Sequence, residues 1–291
     1  MTLAQALTGA SRIVRRPGLR RFLAGPGACL GASVLFVLVS MALAAPWLYP
    51  VDPLRIVAPA QIWPLTQWQY PLGTDSMGRD IAALLVHGAR ATLAIGLLAC
   101  FTAVAVGVTL GAVAAYFGGR VGAVAMLLTE LFQTIPSLMF VLAIISIFGT
   151  AVTHTVLAIG LVTWPSIARL TRAEVLSWKE RDFVASCRSL GMRDSQIILC
   201  EILPNALPPV IAMSTLIVAG AILLEAGLSF LGLSDPNVAT WGRLIGEGRD
   251  MLRTSWYISA LPGIAILITV LALSLIGEAL GDAIRPGSRS N

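Results

Sequence analysis

Residues 181–210 read RDFVASCRSLGMRDSQIILCEILPNALPPV, and this polar stretch of mixed charge lies between two long apolar blocks. The pattern predicts a short helix that starts at Asp182, a break at Gly191, and a second helix that starts at Asp194 and stops at Pro204. Both aspartates are suited to N-cap these helices, because a carboxylate accepts hydrogen bonds from free backbone N–H groups. Glycine tolerates a positive φ at a helix end, and proline lacks the N–H that a continuing helix needs.

Two functions are open for this element. Small residues at Ala185, Ser186 and Gly191 keep one face thin, so the backbone of another surface can approach closely. A compact amphipathic element between two membrane spans is suited to transmitting force. The alternative is a structured loop that only joins the two spans.

The stretch resembles the cytoplasmic coupling loop of binding-protein-dependent ABC importer permeases. That motif is Glu-Ala-Ala, a glycine after four further residues, and a later Leu-Pro. Val184 stands where glutamate is usual, and Ser186 where the second alanine is usual, so an ion pair from position 184 to an ATPase is in doubt. The positions that match are Ala185, Gly191, Leu203, Pro204 and Asn205. The resemblance implies that an ATPase subunit docks on Asp182, Phe183, Ala185, Ser186, Arg188, Gly191, Asp194, Leu203, Pro204 and Asn205.

The composition predicts an all-α integral membrane protein. Only 12% of the 291 residues are charged, whereas about 25% are charged in soluble domains. Long runs without any Asp, Glu, Lys or Arg provide the roughly 20 apolar residues that a spanning helix needs. We predict six spans, at 28–48, 92–116, 122–147, 151–170, 207–232 and 256–280. The resemblance implies that they form the type I ABC importer permease fold.

The distribution of positive charge predicts the orientation. Most of the 20 Lys and Arg residues fall in segments that are inside if the amino terminus is inside, as the positive-inside rule requires. This explains the net charge of +5 without a nucleic-acid partner. We expect cytoplasmic tails, an external segment and a five-helix permease core, in a multi-pass plasma-membrane protein with both termini cytoplasmic. The predicted segments are the tails 1–27 and 282–291, the external segment 49–91, the core 92–281 and the cytoplasmic loop 171–206.

The external segment contains PLGTDSMGRD at 71–80. Gly73 and Gly78 predict turns, and Asp75, Arg79 and Asp80 can form a local charge and capping network, with Asp80 starting the helix of the second span. A metal site is the poorer alternative, because so short an acidic motif is more often a structural network. The stretch resembles the LGTD…GRD segment of peptide and nickel permeases, and LSFLGL at 228–233 resembles the same family.

Polar residues interrupt two predicted spans. Glu130, Gln133 and Pro136 lie in the third, and Glu225 lies in the fifth. Ionisable residues in a span usually face the bundle interior or a water path, so we predict that these four line the translocation path or a gate. The alternatives are hydrogen bonds to neighbouring helices for the polar residues and a packing role for the proline.

The chain has no GxxxxGK[ST] phosphate loop and no HExxH or GxSxG motif, so we expect neither ATP binding nor catalysis by this chain. No cysteine pair has metal-ligand spacing, and we expect no metal site. The resemblance implies a second homologous permease, two subunits that bind ATP and Mg²⁺, and an external substrate-binding protein.

The resemblance implies import of dipeptides or oligopeptides, with nickel or another small solute as the alternative. An ion-coupled carrier is a further alternative, because Glu130 and Glu225 could relay protons. Such a carrier usually has repeated halves, and the sequence shows none. A membrane scaffold is the third possibility, but it gives no reason for a coupling-type loop.

Overall fold

The computed structural model describes residues 25–284, and these residues are mostly helical, as the composition predicts. The predicted tails lie largely outside the described residues. The helices in chain order are α1 Pro26–Leu48, α2 Ile81–Phe117, α3 Gly119–Thr134, α4 Ser137–Phe148, α5 Val152–Lys179, α6 Asp182–Ser189, α7 Asp194–Gln196, a π-helical turn Ile197–Ile202, α8 Leu203–Phe230, α9 Trp241–Gly248, a 3₁₀ turn Arg249–Met251 and α10 Tyr257–Ile284.

Within residues 25–284, four helices are long and apolar enough to cross a membrane. These are α1, α2, the continuous run Asp194–Phe230 and α10, and the pair α3–α4 would make a fifth span if it crosses as one unit. The predicted sixth span, 151–170, lies in α5, which is not among them. The count of six is therefore corrected to four or five by length and composition. Helix α5 is more polar than these candidate spans, and it continues to Lys179 as a charged extension.

The predicted third span, 122–147, is not one straight helix. It breaks at Pro136 into α3 and α4, whose axes are bent by 86°. Proline removes a backbone donor and disfavours the helical conformation of the residue before it, and Ile135 is extended, with φ −86° and ψ 125°. The proline therefore ends one helix here instead of only kinking it.

Helices α2 and α5 pack against each other more extensively than any other pair among the described residues. Small residues let these two helices come close together. A Cβ at Gly107 would lie 2.6 Å from the Ile167 side chain, and one at Gly111 would lie 2.4 Å from the Ala168 carbonyl oxygen. From the other side, a Cβ at Gly160 would lie 2.7 Å from Thr102. Close backbone approach through small residues is the usual basis of helix packing in membranes, so α2 and α5 form a rigid pair.

A buried apolar cluster holds four further helices to α2. It joins α1, α2, α8, α9 and α10 through Leu38, Leu93, Ile222, Trp241 and Leu273. The Trp241 indole is fully buried, and its Nε1–H donates to the Leu85 carbonyl at 2.9 Å. The short helix α9 is therefore part of the bundle, although it lies between the predicted spans 207–232 and 256–280.

Candidate functional site

The first candidate site is the coupling element, which we define as residues 182–206. It consists of α6, a turn at Gly191, then α7 and the π-helical turn that leads into α8. Gly191 has φ +77°, which confirms the predicted positive φ. No atom lies within 4 Å of the position that a Cβ would take there. The glycine is therefore required for its backbone conformation and not for space.

The predicted N-caps of this element are wrong by one residue. Arg181 and Arg193 occupy the N-cap positions, and Asp182 and Asp194 are the first helical residues. No side-chain capping bond is made at Arg181, whereas the Gln196 side chain accepts from the backbone N–H of Arg193 at 3.2 Å. In the first turn an aspartate still favours the helix, because its charge opposes the positive end of the helix dipole.

The predicted stop at Pro204 is also wrong. The helical run continues from α7 through the π-helical turn into α8, and Pro204 lies in the first turn of α8. A π-helical turn is wider than an α-helical one, and such turns often accompany a break in the ordinary hydrogen-bond pattern. The Asn205 side chain donates to the Glu201 carbonyl oxygen at 2.6 Å, which helps to satisfy the backbone at this irregular turn.

Val184 holds α6 against the bundle. Its side chain is completely buried and packs in a cluster with Val175 of α5, Ile197, Ile202 and Ala206. The Val184 side chain faces the interior of the protein, so this position is not on the exposed face of α6. Valine here contributes to the apolar attachment of α6.

The opposite face of α6 is open. Its exposed side chains are small or polar, apart from Phe183 at the start of the helix and Leu190, which follows the helix and is 82% exposed. Leu190 is not among the residues predicted for docking. The exposed members of the predicted docking set are Asp182, Phe183, Ala185, Ser186, Arg188, Gly191, Asp194, Pro204 and Asn205, while Leu203 is half-buried.

Sequence reasoning also missed Tyr116, at the end of α2. Its hydroxyl donates to Asp194 Oδ1 at 2.5 Å. The guanidinium carbon of Arg188 and the Nζ atom of Lys179 each lie 5.5 Å from the centroid of its ring. No local pattern marks this tyrosine, because its partners lie more than sixty residues further along the chain.

The second candidate site is the outer cluster, which we define as Asp75, Arg79, Arg243 and Glu247. Arg79 and Asp75 are almost completely buried, and Arg79 Nε donates to Asp75 Oδ2 at 2.5 Å. Arg79 also forms an ion pair with Glu247, which accepts from Arg243 Nε at 2.8 Å. Burial alone lowers the pKa of Arg79, but the charges of Asp75 and Glu247 outweigh it, so the pKa is raised and the guanidinium stays charged.

The loop that carries this cluster is fixed by two glycines. Gly73 has φ +79° and Gly78 has φ +84°, which confirms the two predicted turns. A Cβ at Gly73 would lie 2.2 Å from the Ile62 carbonyl oxygen, and one at Gly78 would lie 2.1 Å from that of Ala58. The motif is therefore folded tightly against the segment that precedes it.

Asp80 begins α2, as predicted, and its side chain accepts from the backbone N–H of Ala82 at 2.9 Å. Burial raises the pKa of Asp80, although its hydrogen bonds to the backbone of Ala82 and Ala83 act in the opposite direction. Within residues 25–284, no three His, Cys, Asp or Glu side chains lie together as a metal site would require. The nearby His87 instead contacts the Tyr49 carbonyl oxygen through Nε2, at 2.9 Å.

The four predicted path or gate residues fall into two environments. Glu130, Gln133 and Pro136 are exposed near the bend between α3 and α4. Glu225 is 3% exposed, and its Oε1 accepts from Ser229 at 2.7 Å and from Thr240 at 2.8 Å. Glu225 thus forms hydrogen bonds within the bundle, as the alternative to a path or gate role predicts. It does not lie at the bend between α3 and α4.

Comparisons with known proteins agree with these features. Residues 107–290 match the family described as binding-protein-dependent transport system inner membrane component. Residues 16–69 match the N-terminal transmembrane domain of oligopeptide transport permease C.

Two curated relatives cover most of the chain. The chain is 37% identical to a di/tripeptide transport system permease protein of Pseudomonas aeruginosa, over 89% of this chain and 88% of the relative. It is 32% identical to a dipeptide transport system permease protein of Haemophilus influenzae, over 89% of this chain and 90% of the relative.

A solved structure of the MetNI methionine ABC transporter in an inward-facing conformation has the same fold. The TM-score is 0.59, and the match covers 70% of this chain and 98% of that chain. At 18% sequence identity, this similarity concerns the fold alone.

Proposed function

Because the chain belongs to the family of binding-protein-dependent transport system inner membrane components, we propose that it is the permease subunit of an ATP-driven importer of short peptides. It is a multi-pass protein of the inner membrane, and its family implies an ATPase and a binding protein as partners. The observation that carries the proposal is the coupling element, in which buried Val184 fixes one face of α6 while the opposite face stays open.

The complete assembly would contain a second homologous permease, two ATP-binding subunits and an external substrate-binding protein. ATP and Mg²⁺ would be bound by the ATP-binding subunits, and this chain would take no part in hydrolysis. Both termini and the coupling element would lie in the cytoplasm, and the outer cluster would face the binding protein. The excess of Lys and Arg in the segments assigned to the inside supports this orientation.

In the proposed mechanism the two ATPase subunits close when they bind ATP and move the coupling element with them. The helices then change from an inward-open to an outward-open arrangement. Such coupling requires that nucleotide binds one permease state better than the other. Ala185 and Ser186 support docking at this place, because their small exposed side chains leave the backbone of α6 accessible.

Short peptides are the substrates that the named relatives support. Nickel remains the alternative, and it has less support because the described residues contain no group of metal ligands. Glu130 and Gln133 are the side chains that we assign to the path, because they are polar, exposed and next to the helix break at Pro136. An exposed carboxylate in a span is costly in lipid but is stable beside a water-filled path.

Two substitutions at Gly191 test the docking site. Alanine and tryptophan both strain the backbone, because φ is +77°, but only tryptophan adds bulk to the open face. We expect Gly191→Trp to abolish peptide uptake and peptide-stimulated ATP hydrolysis by the reconstituted complex, with normal membrane insertion. Gly191→Ala should retain most of both activities. Normal uptake by the Gly191→Trp protein would contradict the assignment.

A further inference from the structure

The turn at Gly191 raises the question of what fixes the angle between α6 and α7. Glycine itself cannot, because its backbone is permissive and no atom lies within 4 Å of the place where a Cβ would be. Three backbone hydrogen bonds close the turn, one of them from Met192 N–H to the Cys187 carbonyl at 3.1 Å. A pull on α6 alone could open such an exposed turn, so force would reach the bundle only if a stronger connection spans it.

Tyr116 makes that connection, because it contacts both sides of the turn. Its hydroxyl donates to Asp194 at the start of α7, and its ring lies beneath the guanidinium of Arg188, near the end of α6. Asp194 and Arg188 carry opposite charges, and Tyr116 contacts the first through its hydroxyl and the second through its ring. The hydroxyl hydrogen points to the carboxylate, and the negative face of the ring attracts the cation.

The tyrosine is itself fixed to the membrane helices. It is only 6% exposed, and its backbone belongs to the last turn of α2. Lys179, the last residue of α5, donates through Nζ to the carbonyl oxygens of Tyr116 at 2.6 Å and Ala115 at 3.3 Å. A cation at this place favours the negative end of the α2 dipole. Four helices therefore meet at one side chain: α2, α5, α6 and α7.

We propose that Tyr116 is a positioning residue that locks α6 and α7 into one rigid unit and transmits the movement of that unit to α2. This inference rests on the proposed docking of an ATPase subunit on the coupling element. Without Tyr116, α6 would still be attached through Val184, but the turn at Gly191 would yield when the ATPases close. ATP would then be hydrolysed with less transport per cycle.

The test uses the complete complex in proteoliposomes and measures the number of dipeptide molecules transported per ATP hydrolysed. Tyr116→Leu removes the hydroxyl and the aromatic ring, and we expect it to lower this ratio at least about fivefold, the lower end of typical coupling effects. Tyr116→Phe removes only the bond to Asp194 and keeps the ring beside Lys179 and Arg188, so we expect a smaller loss. Tyr70→Phe is the matched control, because it removes a tyrosine hydrogen bond, to the Val57 carbonyl, in the external segment. Its ratio should equal that of the wild type.

A double-mutant cycle separates positioning from simple loss of structure. Tyr116→Phe and Asp194→Ala each break the same bond, so together they should lower the ratio no further than the more damaging one does alone. If the Tyr116→Leu complex fails to assemble, this cycle still tests whether Tyr116 acts through its bond to Asp194. Additive losses, or an unchanged ratio in an assembled Tyr116→Leu complex, would overturn the inference. Failure of the proposed function would look different, because the wild-type complex itself would then not couple ATP hydrolysis to dipeptide uptake.

Discussion

The two ends of the molecule are held together in opposite ways. At the end that carries the outer cluster, residues far apart in sequence are joined by charges, as in the pair of buried Arg79 with Glu247, and the Tyr257 hydroxyl donates to the Ile62 carbonyl at 3.0 Å. At the end that carries the coupling element, this element is exposed over most of its surface and is attached by one apolar cluster, to which Tyr116 belongs. The first end is built as a closed network, and the second is built as a surface with an open face.

This difference indicates how the protein divides its tasks. A buried charge network tolerates little movement, because breaking a buried pair leaves an uncompensated charge. An exposed helix with small side chains can bind a partner without first breaking contacts of its own. We therefore regard the outer cluster as a fixed frame and the coupling element as the part that receives force.

The largest effect on stability is expected from Asp75→Asn. Asp75 is 1% exposed and accepts bonds from the Arg79 side chain and from two backbone N–H groups. Loss of its charge leaves a buried guanidinium with one carboxylate partner, and breaking such a pair costs about 3 to 5 kcal/mol. The apparent unfolding temperature in detergent should fall clearly.

Asp250→Asn is the control, because its pair with Arg249 is long, at 3.6 Å, and exposed, so no measurable change is expected. Equal results for the two variants would contradict the idea of a fixed frame.

The glycines give a second comparison between the two ends. Gly73 and Gly191 have nearly the same φ, +79° and +77°, so alanine at either site should pay a conformational cost of about 1 to 2 kcal/mol. At Gly73 the added Cβ also collides with the Ile62 carbonyl oxygen, and such overpacking adds roughly 1 to 3 kcal/mol. We expect thermal unfolding to show the larger loss for Gly73→Ala. If Gly191→Ala were the more damaging, the coupling element would be packed more tightly than the structure indicates.

The smallest effect is expected from Glu225→Gln. The amide keeps an oxygen that can accept from Ser229 and Thr240, so the link between α8 and α9 survives. Loss of a neutral hydrogen bond costs only about 1 kcal/mol in any case. We expect ATP-driven uptake by the reconstituted complex to remain within about twofold of wild type, a free-energy change below 0.5 kcal/mol. Loss of uptake would favour an ion-coupled carrier, in which the carboxylate must exchange a proton.

Much of the fold could be predicted because it depends on short stretches of sequence and on single residue types. Uncharged runs long enough to cross a bilayer predict where the apolar helices lie, and turns such as those at Gly73 and Gly191 follow from the residue type. Asp80 could be identified as a helix start for the same reason. Even so, Pro204 shows the limit of local rules, since a π-helical turn lets the helix continue where proline was expected to end it.

The contacts that define the two sites could not be predicted, because they join distant residues. Glu247 lies 168 positions after its partner Arg79, and Asp194 lies 78 positions after Tyr116. Val184 was interpreted by its place in a motif, although its inward direction depends on the packing of α6 against α5 and α8. The packing of the whole bundle determines these relations, and no single segment contains them.

The central claim, that the coupling element docks an ATPase, is tested most directly by purifying the tagged full-length chain from its own cells in a mild detergent and identifying the co-purifying proteins by mass spectrometry. The account predicts a second permease together with a protein that contains the GxxxxGK[ST] phosphate loop. The Gly191→Trp protein should lose the ATPase and keep the permease. Recovery of the wild-type chain alone, active in solute transport without ATP, would contradict the account.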